Sequence, residues 1–329
     1  MKYLITGASG FIGPYLVRKL TSQGECCRCL VRSDSDLSQL RHYRNISFVY
    51  GDITKPDTLN GITESVDYLI HMATLGHMNN YKVSEEMFEA VNVQGTLNIM
   101  REAQRGGVKK IIHCSSVAAM GICSDIPADE KSACRPHNPY GKSKLKAEQK
   151  VLKMIQDEAL PAVIIRFSMV YGPGDKRDIL RLTRMAKKGL FPKVGNRQKL
   201  TPLIHVEDAV DGLLSALEKG KIGEIYLITN QQSEPFDNIR LIIQRNLGVL
   251  RIPLFIPEWL ALSAALFIET IFKLIGKAPP VTRKNIESTL KDRVFSIKKA
   301  QQELGFNPSI DPEEGLKETI KWYMEKKWV

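Results

Sequence analysis

Short apolar runs alternate with longer stretches of helical period along the first two-thirds of the chain. The runs at Tyr3–Thr6, Glu25–Val31, Ile46–Tyr50, Tyr68–His71, Lys110–Cys114, Ala162–Phe167 and Glu224–Ile228 predict strands. Between them, Gly13–Gln23, Glu85–Gly106, Tyr140–Glu158 and Ile179–Lys188 carry helical spacing. The stretches KKIIHCSS and PAVIIRF are apolar almost throughout, as strands covered on both faces must be. Alternating strands and helices predict an α/β fold with a doubly wound parallel sheet. Beyond about residue 175 the alternation loosens. A core unit over residues 1–175 and a smaller, mostly helical lobe over 176–329 are expected, with segments such as 205–230 returning to the core.

The most apolar stretch is WLALSAALFIETIF, within residues 252–275. Glu258 and Glu269 bracket a segment too short for the roughly 17–25 residues that span a bilayer. A buried helix is the first expectation. A helix resting on a membrane surface, or lining a pocket for a lipophilic substrate, is the alternative.

Of the 329 residues, 43% are apolar and 25% charged, which suits a globular protein. The formal net charge of +11 attracts polyanions, membrane surfaces or an anionic cofactor. The basic residues are scattered, with runs no longer than pairs such as Lys109-Lys110 and Lys326-Lys327, and no nucleic-acid module is recognised. A small-molecule partner is expected instead of nucleic acid. Cys26, Cys27, Cys29, Cys114, Cys123 and Cys134 lack paired metal-ligand spacing, so no metal site is expected and the thiols are read as reduced. A strand starting at Tyr3 leaves no space for a cleavable leader, and a cytoplasmic chain is expected.

Chemistry begins at TGASGFIG. Gly7 follows a strand and Gly13 opens a helix, the context of a turn that cradles a dinucleotide pyrophosphate. Pro14 fits the first helical turn, whose amides have no intrahelical acceptor. The second strand ends in CLVRSDS. Arg32 and Ser33 stand where an acid would hold the ribose of NAD, so NADP is favoured; Asp34 keeps NAD possible. In PYGKSKLKAE, Tyr140 and Lys144 lie four apart and share a helix face. A tyrosine acting as a base near neutrality needs such a positive neighbour. HCSSVAAMG ends a buried strand with Ser115 and Ser116, where a hydroxyl can polarise a substrate carbonyl.

Together these motifs resemble the extended short-chain dehydrogenases/reductases, which include nucleotide-sugar epimerases, dihydroflavonol reductases and 3β-hydroxysteroid dehydrogenases. GDI at Gly51–Ile53, HMAT, VNVQGT, RFSMVYGPGD and HVEDAVDG extend the likeness over nearly the whole chain. It implies a Rossmann-type fold and an enzyme that uses a nicotinamide cofactor. By this resemblance Ser116, Tyr140 and Lys144 are catalytic and Asn92 supports them. It also assigns cofactor contacts to Gly7, Ser9, Gly10, Phe11, Ile12 and Gly13, to Arg32, Asp52 and Ile53, and to Met72, Ala73 and Thr74. Ser115, Tyr140, Lys144, Phe167 and Val170 complete that set. A homodimer pairing Glu85–Gly106 with Tyr140–Glu158 is a family expectation. His71 and His113 are read as core residues, and Asp208 as a helix-start residue.

Departures from the family pattern narrow the chemistry. Sugar dehydratases carry Thr-Asp-Glu where this chain has Ser116-Val117-Ala118, so dehydration is not expected. Epimerases place a diphosphate-binding arginine where Thr201 stands; Lys199 or Arg197 are the available substitutes. Met120 replaces a tyrosine and is expected to give an apolar wall. The C-terminal region resembles 3β-hydroxysteroid-dehydrogenase-like proteins. Hydride transfer to or from a secondary alcohol or ketone on an apolar substrate is therefore expected, with a nucleotide-sugar epimerase holding NAD tightly as the alternative.

Overall fold

The computed structural model describes residues 1–76, 83–189, 193–196, 198–249, 255–275, 279, 283 and 290–329. Six strands are β1 (Lys2–Thr6), β2 (Cys26–Val31), β3 (Ile46–Tyr50), β4 (Tyr68–His71), β5 (Lys110–Ser116) and β6 (Ala162–Phe167). With Ile225–Ile228 they form a seven-stranded sheet. Its order is Ile225–Ile228, β6, β5, β4, β1, β2, β3, and every neighbouring pair is parallel. The chain winds outward one way through β1, β2 and β3, then the other way from β4. The crossovers therefore diverge between β1 and β4 and leave a crevice at the carboxyl ends of the strands.

Both faces of the sheet are covered. Helix α1 (Gly13–Ser22) buries Leu16, Val17 and Leu20 at helical spacing, beside Val210 and Leu213 of Val206–Lys219. On the other face α3 (Gly95–Arg105) and α4 (Pro139–Glu158) contribute Ile99, Met100, Ala103, Val151 and Met154. A third cluster joins Asp178–Lys187, Phe236–Asn246 and Pro312–Glu325 through Ile179, Ile239, Ile243, Leu316 and Ile320.

Two expectations are revised. The helix anticipated over Glu85–Gly106 is divided: α2 (Glu85–Phe88), capped by Ser84, leads into a wide π turn over Glu89–Gln94 before α3. The apolar segment does form a helix, Glu258–Leu274, but it is not buried. Ala265 is covered, whereas Trp259 is 68% exposed, Phe267 67% and Leu274 82%. Its apolar residues occur all round the helix, more than one neighbouring surface can cover. No described helix is long and apolar enough to cross a membrane.

Candidate functional site

Local sequence shapes the turn after β1. Gly7 has φ of +75°, which its missing Cβ permits. A Cβ on Gly13 would lie 1.9 Å from the Ala8 carbonyl oxygen, so only glycine lets α1 start this close to the turn. The start of α1 has no side-chain cap and no acidic residue in its first turn. Its amides and the positive end of the helix dipole are therefore left for an external anion.

A cleft of about 550 Å³ opens at this turn. Of the expected cofactor contacts, it is lined by Gly7, Ser9, Gly10, Phe11 and Ile12, by Arg32, Asp52 and Ile53, and by Met72, Ala73 and Thr74. The exposed Arg32 Nε donates to Asp34 Oδ1 at 3.1 Å. Asp52 Oδ1 accepts from the amide and the hydroxyl of Thr54, both at 2.8 Å. Burial would raise the Asp52 carboxyl, but these bonds and the Arg32 charge outweigh it and hold it low. An anionic carboxylate beside a guanidinium and bare helix amides suits a ribose and a phosphate.

Behind the cleft wall, Asn92 Oδ1 accepts from the Leu75 amide at 2.7 Å and the Thr74 hydroxyl at 3.0 Å. Asn92 Nδ2 donates to Ser143 Oγ at 2.9 Å, and Ser143 Oγ donates to the Tyr140 carbonyl at 2.8 Å. The π turn brings Asn92 into this position, as such turns do where a side chain must be re-aimed.

Asn138 caps α4, its side chain accepting from Gly141 N, so Tyr140 stands in the first turn with Lys144 one turn on. Ser116 ends β5, where its Oγ accepts from Ala118 N at 3.1 Å and its hydroxyl is near enough to Tyr140 to lower the phenol. Burial raises the Tyr140 phenol, while the Ser116 hydroxyl and the charge of Arg177 pull it back. Lys144 is 2% exposed and donates to the Cys114 carbonyl at 2.7 Å. Burial pushes its ammonium down to about 8.

Other expected residues sit elsewhere. Ser115 donates to Glu148, itself paired with Arg166 in the interior. Phe167 and Val170 lie in the core and Gly13 packs on Ala8; these four, with Tyr140 and Lys144, are not among the residues that line the cleft. Met120 is fully buried among Val117, Ala128, Leu227 and Phe295 and forms no open wall, because its turn folds back onto the sheet edge. Lys199 is engaged, its Nζ donating to Glu258 Oε1 at 3.0 Å; Arg197 lies outside the described residues. Asp208 stands in the first turn of Val206–Lys219, yet its carboxylate holds the amides of Ser309 and Ile310. His71 bonds Thr6 and Thr96, and burial lowers it to about 3, so it stays neutral beside His113 in the core.

Sequence reasoning missed Arg177. Its Nε donates to Asp175 Oδ1 at 3.0 Å, and its guanidinium lies 5.3 Å above the Phe11 ring. It lines the cleft and an adjoining recess of about 260 Å³ formed with Tyr15, Gln39 and Lys176. A further recess of about 620 Å³ lies between the loop following β5 and residues 290–292.

The profile of the NAD dependent epimerase/dehydratase family matches residues 3–229. The chain is 27% identical to a UDP-glucose 4-epimerase of Vibrio cholerae, over 98% of this chain and 95% of that one. It is 26% identical to a sterol-4-alpha-carboxylate 3-dehydrogenase, decarboxylating, of Schizosaccharomyces pombe, over 98% and 97%. The crystal structure of gox2253 superposes with a TM-score of 0.87 at 32% identity, over 99% of both chains. With the glycine turn at the crevice of a doubly wound sheet, these likenesses identify the chain as an enzyme of the NAD dependent epimerase/dehydratase family, within the extended short-chain dehydrogenases/reductases.

Proposed function

We propose that this enzyme moves a hydride between a nicotinamide cofactor and a secondary alcohol or ketone on a largely apolar substrate, with NADP preferred over NAD. The observation that carries the proposal is the placement of Tyr140 in the first turn of α4, with Lys144 one helical turn further on and the Ser116 hydroxyl near enough to lower the phenol. The bound nicotinamide supplies the hydride acceptor or donor. Tyr140 takes the hydroxyl proton as an alcohol is oxidised and returns it to the oxygen in the reverse direction. Ser116 holds that oxygen, and the positive charges of Lys144 and Arg177 favour the tyrosinate. Gly7, Gly10 and the first amides of α1 would hold the pyrophosphate, Asp52 the adenosine end, and Arg32 a 2′-phosphate. Asn92 acts by positioning both the cleft wall at Thr74 and the first turn of α4.

An apolar substrate is supported by Thr201 and the engaged Lys199 where a sugar diphosphate would need an arginine. The Schizosaccharomyces pombe relative, named for dehydrogenation of a sterol carboxylate, supports the same class. The Vibrio cholerae relative favours a second reading, a nucleotide-sugar epimerase with tightly held NAD. The two separate on purification and titration. Loosely held NADP and no binding of UDP-sugars support the oxidoreductase; retained NAD with UDP-sugar binding refutes it in favour of the epimerase. The proposal includes a cytoplasmic homodimer, joined through the α2–α3 and α4 surfaces, with peripheral membrane contact. A monomer by light scattering would remove the dimer from it.

A further inference from the structure

We propose that the helix Glu258–Leu274 docks the protein on an anionic phospholipid bilayer, lying in the interface with one face among the headgroups and upper acyl chains. This deepens the peripheral membrane contact proposed above and does not depend on the substrate or the reaction assigned there. Trp259, Leu260, Leu266, Phe267, Ile271 and Leu274 are exposed large apolar residues, between 39% and 82% accessible. The other exposed positions are Ser263, Ala264 and Thr270. At 3.6 residues per turn these positions occupy one continuous arc of about 160°. That arc holds no charged residue among the described side chains.

The acids of the helix are turned to protein partners. Glu258 accepts from Lys199 Nζ at 3.0 Å, and Glu269 Oε2 accepts from the Arg283 amide at 3.3 Å. Ala265 lies on the opposite, covered side. The helix is thus held against the protein by one side and shows an apolar arc on the other.

Charge selects the occupant. Between residues 251 and 284 the sequence carries Arg251, Lys273, Lys277, Arg283 and Lys284 against Glu258 and Glu269, in a chain of net charge +11. Basic residues that flank an apolar helix in sequence draw it to anionic lipid, and a tryptophan at one end suits the headgroup region. The homodimer proposed above uses the α2–α3 and α4 surfaces, which leaves this face to a different occupant. At 17 residues the helix is about 26 Å long, shorter than the hydrocarbon core, which places it in the interface and not across it.

Flotation of the full-length protein on sucrose gradients tests this. Vesicles of phosphatidylcholine mixed with phosphatidylserine should carry the protein upward. Phosphatidylcholine alone, or high salt with the mixed vesicles, should reduce the floating fraction about tenfold. The triple variant Trp259→Ser, Phe267→Ser, Leu274→Ser should lose flotation to a similar extent while its dinucleotide affinity and thermal midpoint match the wild type. Failure of the wild type to float on mixed vesicles would overturn the proposal, a result that needs no variant. So would equal flotation of the triple variant. A dimer that the triple variant splits, without vesicle binding, would assign the face to a second copy and equally overturn it.

Discussion

Asn92 Nδ2 donates to Ser143 Oγ at 2.9 Å, and through this bond the wall of the cofactor cleft is tied to the helix that carries Tyr140. The same amide oxygen accepts from Thr74 and Leu75, so both ends of the Asn92 side chain are in use. Asn92→Ala strands these buried partners, at a cost of about 1–3 kcal/mol. A lower denaturant midpoint and weaker dinucleotide binding by calorimetry are expected together. Loss of stability with unchanged cofactor affinity would restrict Asn92 to the core.

Gly13 permits the closest backbone approach in the cofactor turn. With the Ala8 carbonyl 1.9 Å from a Cβ at this position, Gly13→Ala must push α1 away from β1. Overpacking against backbone costs about 1–3 kcal/mol or more. The thermal midpoint should fall, and the dinucleotide dissociation constant should rise by at least about tenfold as the α1 amides move off the pyrophosphate. A variant that binds cofactor as the wild type does would contradict that placement of α1.

Most of the sheet was legible because strands buried on both faces are written as unbroken apolar runs. Lys110–Cys114 and Ala162–Phe167 are found as strands, with Ser115 and Ser116 added to the former. The Tyr140–Lys144 pair was legible through helical spacing, and Ser116 through strand-end placement. The π turn was hidden, because one widened turn leaves the apolar period of Glu85–Gly106 nearly unchanged. Arg177 was hidden because its neighbour Phe11 lies far from it in sequence and only the fold brings them together. Ser115 was read correctly as a strand-end residue, but which neighbours it and Met120 meet is decided by packing. The exposure of Trp259 and Phe267 was equally unreadable, since composition reports how apolar a helix is and not what covers it.

Lys144 gives a pH signature. Burial lowers it from 10.5 to about 8. Between those values the unfolded chain holds a proton that the folded chain has released, so Lys144 makes the fold gain stability as pH rises through the window. The full gain is on the order of 3 kcal/mol. Denaturant midpoints for the wild type and Lys144→Met, measured from pH 7.5 to 10.5 without cofactor, should differ in slope, with the rise smaller in the variant. Parallel curves would mean that Lys144 titrates normally in the folded protein.

Arg32 lines the cleft, and among the described residues its guanidinium has only an exposed pair with Asp34. A surface pair of this kind contributes little, leaving the guanidinium free to turn to a phosphate. Arg32→Asp should weaken NADP binding by about tenfold or more and leave NAD binding equal or better. Fluorescence titration with each reduced dinucleotide reads the ratio directly. An unchanged ratio would remove Arg32 from cofactor selection.

The central claim is that Tyr140, near Ser116 and one helical turn before Lys144, exchanges the proton that accompanies hydride transfer. Tyr140→Phe keeps the ring against Phe88 and removes only the hydroxyl. Its turnover, followed by reduced-nicotinamide absorbance with a secondary-alcohol panel, should fall by about a thousandfold or more. Dinucleotide affinity, measured on the same preparation, should change by less than about twofold. Turnover within about tenfold of the wild type, with cofactor bound, would contradict the assignment of Tyr140 as the acid–base group.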